Sequence, residues 1–128
     1  MKNKIMLTIG VMLAVLLCVA VTGYAQQDMS DVKGLCEEAY LNASQTRDIV
    51  ANGMKTVEAE ITEDSSDLKI GEFKDGKEWF EKADALLNEN KAKMDNGEYT
   101  KDIAIDLGLA WQWFIKSGSA ITRAGMQE

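Results

Sequence analysis

The sequence predicts an all-α protein, a small antiparallel three-helix bundle that follows an N-terminal signal peptide. Three observations lead there. Proline is absent from all 128 residues, so nothing forces a helix to break. Apolar residues recur at steps of three and four over three long windows, the spacing that lines one face of a helix. Turn-forming residues gather between those windows, at residues 62–72 and at Asn96-Gly97.

The first segment is read as an address. Lys2 and Lys4 give a basic start, Ile5 to Val21 is an almost unbroken apolar run, and Thr22-Gly23-Tyr24-Ala25 supplies the small residues a signal peptidase reads. Cleavage after Ala25 is therefore expected, leaving residues 26–128 as a single helical-bundle domain. The alternatives are an uncleaved anchor, because the run approaches the length of a bilayer span, and lipidation at Cys18. Leu17 is bulky where a lipidation site needs a small residue directly before its cysteine.

From Asp28 to about Ile61 the chain reads as one helix. Val32, Cys36, Ala39, Ala43, Thr46, Val50, Gly53 and Val57 form a heptad-like stripe, with Asp28 or Ser30 as candidate cap. Most of its members are small, so a neighbouring helix can approach closely and bulky side chains from elsewhere should fill against it. Asn52-Gly53 is a candidate stop, and a break there would make four helices.

Residues 62–72 are polar, contain Gly71, and are expected to form a loop. The second helix is expected from Phe73 to Asp95, with Phe73, Phe80, Ala83, Leu87 and Met94 on one face and Trp79 and Leu86 on its shoulder. Four-apart charges such as Glu78/Lys82 and Glu89/Lys93 lie along its outside. Asn96-Gly97 is a sharp stop, and Thr100 offers the next cap with Asp102 in the first turn. So short a connection obliges the second and third helices to pack as a hairpin.

At about 1.5 Å per residue the second and third helices would span roughly 34 to 36 Å and an unbroken first helix roughly 48 Å. The first must then overhang its partners or break near Gly53.

The third window, Ile103 to Ala124, differs from the others because it is apolar on two sides. Ile103, Leu107, Ala110, Trp111, Phe114, Gly118 and Ile121 form a broad stripe, and Ile105, Leu109 and Trp113 form a second row pointing away from it. Asp102, Asp106 and Lys116 border that row. An apolar centre containing a Trp, with a polar rim, has the composition of a protein interface. The competing reading is that the first helix, or the stretch after Gly53, folds over the row within one chain.

Composition narrows the chemistry. The formal charge is −7, and removing residues 1–25 takes away two lysines and no acid, giving −9. Such a domain repels nucleic-acid phosphates and anionic head groups. No histidine is present, which removes imidazole metal sites, His-ligated haem and every Ser-His or Cys-His nucleophile. Of the two cysteines, Cys18 leaves with the signal, so Cys36 cannot form a disulfide within the mature chain; it is either buried or paired between chains, and its stripe position favours burial.

The grouped aromatics Phe73, Trp79, Phe80, Tyr99, Trp111 and Phe114 suit a bundle core rather than a cofactor pocket. No catalytic residue, metal site or cofactor is expected. The expectation is a periplasmic or secreted, non-enzymatic binding or accessory protein. It would act through Ile105, Leu109 and Trp113 on another protein or on itself as a homodimer, with no nucleic-acid partner and no membrane partner after cleavage. The alternative is a low-affinity site for a hard cation among the carboxylates, such as Glu63, Asp64 and Asp67, although the order of a calcium loop is missing.

Overall fold

The computed structural model describes residues 31–127, so the reading of residues 1–25 as a signal peptide, and Asp28 and Ser30 as caps, lie outside the described residues. Three helices pack together: α1 (Val32–Glu60), α2 (Asp67–Asp95) and α3 (Lys101–Met126), with no strand among the described residues. Hydrogen bonds from Cys36 to Thr100 and from Trp111 to Thr46 set α1 and α3 side by side in the same direction. Bonds from Arg47 to Asp84 and from Ser117 to Gly76 set α2 against both in the opposite direction. The result is an up-down-up bundle in which α3 packs extensively on each neighbour and α1 and α2 meet less.

α1 runs unbroken through Asn52-Gly53, so there is no fourth helix among the described residues. Gly53 is buried on the same stripe as Ala39, Ala43, Val50 and Val57, and tertiary packing outweighs the modest helical cost of one glycine there. Its cap is Asp31, whose carboxylate accepts a hydrogen bond from the Gly34 N–H at 2.9 Å.

The expected loop over 62–72 is corrected to residues 61–66. α2 begins at Asp67, six residues before Phe73. Ser66 caps it by accepting from the Lys69 N–H at 3.1 Å, and Asp67 supplies first-turn negative charge. The loop is closed by its own hydroxyls, with the Thr62 N–H donating to Ser65 Oγ at 2.8 Å. Both α1 and α2 thus contain 29 residues, about 44 Å of helix. The expected length mismatch narrows because α2 starts earlier and α1, capped at Asp31, starts later than expected, not because α1 breaks.

Lys69 explains why the extra turns hold. Although charged, it is only 3% exposed. Its ammonium donates to the Ala124 carbonyl at 3.3 Å and the Gln127 carbonyl at 3.1 Å, and lies 3.6 Å from Glu60 Oε2. A cation at the carbonyl end of α3 satisfies groups that no helical N–H can reach and complements the helix dipole. One side chain therefore ties the start of α2 to the ends of α1 and α3.

At the opposite end the hairpin closes as expected. Gly97 adopts φ +84°, its N–H donates to Met94 O at 2.9 Å, and the Glu98 N–H reaches back to Lys93 O at 3.0 Å. This is the paired-bond ending that a left-handed residue allows. Thr100 then caps α3 by accepting from the Ile103 N–H at 3.2 Å.

The main core joins Cys36, Ala39 and Ala43 of α1, Ala83 and Leu87 of α2, and Ile103, Leu107, Ala110, Trp111 and Phe114 of α3. A smaller cluster of Val57, Ile121 and Ala124 sits towards the Lys69 end, with Met54 and Phe73 packed on it. The small residues of α1 thus receive the large ones of α3, as the stripe required. Phe80 meets Phe114 edge to face at 5.3 Å between centroids, and Arg47, bonded to Asp84, lies over Phe80.

Cys36 is fully buried, as its stripe position implied, and its thiol donates to Thr100 O at 3.3 Å. Burial pushes its pKa up, against a smaller downward pull from backbone hydrogen bonds at Thr100 and Ala104. Inaccessibility and the raised pKa both suppress thiolate attack. Native protein should therefore react with a thiol-titrating disulfide at least about a hundredfold more slowly than protein unfolded in guanidinium. Equal rates in the two states would show that α1 and α3 separate readily at that end.

Candidate functional site

The helical repeat that buries Ile103, Leu107, Trp111 and Phe114 turns a different strip of α3 outward. Asp102, Ile105, Leu109, Gln112 and Lys116 recur at steps of three and four, and all five are exposed. Ile105 is 66% exposed and Leu109 36%. α1 does not fold over them. Trp113, expected in the same row, lies at the strip's edge, half-buried where α2 passes.

There Trp113 meets Trp79 at 6.1 Å between centroids, tilted by 49°. The Lys116 ammonium stands 4.6 Å from the centre of the Trp79 ring and the Lys82 ammonium 5.1 Å from it. Two cations on one indole are drawn to its π density, and each keeps its charge at the edge of the apolar surface. Sequence reasoning placed Trp79 on the shoulder of its helix but did not join it to the row. The turn of α2 that carries Trp79 also carries Phe80 inward to Phe114, and only the crossing of α2 with α3 brings Trp79 beside Trp113.

The charges are distributed unevenly. Asp102 and Asp106 flank the strip at its amino-terminal end, and Lys82 and Lys116 gather at the tryptophan end. Among the described residues none of these four takes part in a salt bridge. Elsewhere on α2, the Glu89/Lys93 pair closes at 3.7 Å, whereas Lys82 turns to Trp79.

Among the described residues no group of three or more Cys, Asp or Glu side chains is placed to hold a metal ion. No described helix is long and apolar enough to cross a membrane. The fold and this face together define a three-helix bundle that leaves part of its central helix uncovered. No protein-family model, curated protein or solved structure matches the chain.

Proposed function

We propose that this chain is an exported, non-enzymatic helical binding or accessory protein that acts outside the inner membrane, in the periplasm or as a secreted protein. It works through a protein interface on α3 built from Ile105, Leu109 and Trp113. Export rests on the basic start, the apolar run and the small-residue exit of residues 1–25. The single observation carrying the interface is that Ile105 and Leu109 stand exposed beside a Trp pair edged by charges. Apolar and aromatic surface framed by polar groups is what partners bury first, and Trp anchors dominate the energy of such contacts.

Leu41 provides an internal comparison, since it is 52% exposed on α1. A photo-crosslinking residue introduced at position 109 in the producing cells should give one discrete adduct that the same residue at position 41 does not. Matching adduct patterns, or none from position 109, would remove the support for an interface here.

A further inference from the structure

We infer that the occupant of this interface is a second copy of the same chain, paired through α3 in antiparallel fashion about a two-fold axis that passes by Leu109. The inference rests on the proposed interface and names its partner.

Its basis is the order of residues along the exposed strip. Asp102 lies seven residues before Leu109 and Lys116 seven residues after it, about 10.5 Å of helix in each direction. Turning one copy about an axis at Leu109 sets Asp102 of each copy against Lys116 of the other. The same rotation sets Ile105 against Trp113 and Asp106 against Gln112. Opposite charges meet at both ends, and the apolar residues meet in the middle.

A two-fold interface has to be complementary to itself, and few surfaces satisfy that condition. A parallel pairing of the same strip would place Lys116 against Lys116 and Asp102 against Asp102, which like-charge repulsion disfavours. The three-four spacing of the five exposed residues is the spacing of a seam between two long helices. α3, with 26 residues, offers about 39 Å for it. Each copy is acidic overall, so association is opposed at long range. The paired Asp102 and Lys116 supply the local attraction that fixes register, and both enter it with no salt bridge among the described residues to break.

Charge exchange tests the register. Asp102 and Lys116 are exposed, so far-UV circular dichroism and the thermal midpoint report separately on whether each variant folds. In sedimentation velocity on the exported chain recovered from its producing cells, the wild type should be a dimer. Asp102→Lys alone and Lys116→Asp alone should each raise the dimer dissociation constant at least about tenfold, because each change creates two like-charge contacts per dimer. The double variant Asp102→Lys/Lys116→Asp should return to within about threefold of wild type. Folded single variants that dimerise as well as wild type, or a double variant that is not restored, overturn the two-fold register.

The adduct from position 109 separates this inference from the one beneath it. An adduct of twice the chain mass supports self-pairing. A wild type that stays single at high concentration, with an adduct to a different protein, overturns self-pairing while leaving the interface standing. No adduct at all overturns both.

Discussion

Gly76→Val should destabilise the bundle by about 3 kcal/mol, the upper part of the usual overpacking range, and lower its thermal midpoint by roughly 12 °C or more. Gly76 is buried where α2 crosses α3. A Cβ there would stand 2.6 Å from Ile121 Cδ1, 2.8 Å from Ile121 Cγ1 and 3.2 Å from the Ser117 carbonyl oxygen. Ile121 is itself buried in close-packed surroundings, so making room for a branched side chain has to displace its packed neighbours or push the helices apart. Separation would also pull Ser117 Oγ from the Gly76 carbonyl, to which it donates at 2.6 Å.

Gly71 supplies the control. It lies on the same helix, exposed, and a Cβ added there would meet nothing within 4 Å. Gly71→Ala should therefore stabilise by about 0.5–1 kcal/mol through helix propensity alone. Thermal or urea denaturation of Gly71→Ala, Gly76→Ala and Gly76→Val would measure all three. If both alanine variants stabilise equally, the close approach of α2 to α3 at Gly76 is not real.

Phe114→Ala should cost about 3–5 kcal/mol, a large part of the roughly 5–15 kcal/mol that holds a domain of this size together. Among the described residues Phe114 is the largest fully buried side chain, at the point where all three helices contribute to the core. Its neighbours explain why the loss should fall high in that range. Ala39, Ala43, Ala83 and Ala110 share its cluster and are too short to reach into the space left behind, so a cavity persists. Phe80 also loses the edge-to-face partner it holds at 5.3 Å. Phe114→Leu, which keeps most of the volume, should cost no more than about 1.5 kcal/mol. A loss below about 1 kcal/mol for the alanine variant, read from urea denaturation with unchanged slope, would mean that the core collapses around the gap.

Much of the fold was legible because helical periodicity and local turn chemistry are written within a few residues of one another. The stripes of α1 and α3, the stop at Asn96-Gly97, the cap at Thr100 and the burial of Cys36 all follow from such short-range signals. The start of α2 is hidden for the same reason. Residues 67–72 follow a polar run, contain Gly71 and place Leu68 and Ile70 two apart and exposed rather than on a helical stripe, and Ser66 followed by Asp67 is the capping signal that locates the start. Polar members of apolar stripes were also opaque. Thr46 accepts from Trp111 Nε1 at 3.0 Å and Ser117 donates to Gly76, and both partners lie on other helices. At the candidate site the outward turn of Ile105 and Leu109 is readable, whereas Trp113, expected in the same row, lies at its edge, and Trp79 and Lys82 join it only through the crossing of α2 and α3.

By itself the sequence determined that this protein is helical, where its hairpin turns, and which apolar residues each helix turns to a common side. These are properties of residues three or four apart, which the backbone geometry alone brings together. Only the tertiary structure decided that Lys69 would be buried against the carbonyl end of α3, that Gly76 would lie against Ile121, and that Ile105 and Leu109 would remain uncovered. Those outcomes depend on how closely and at what register three helices pack, and residues more than forty positions apart carry no local pattern that encodes it.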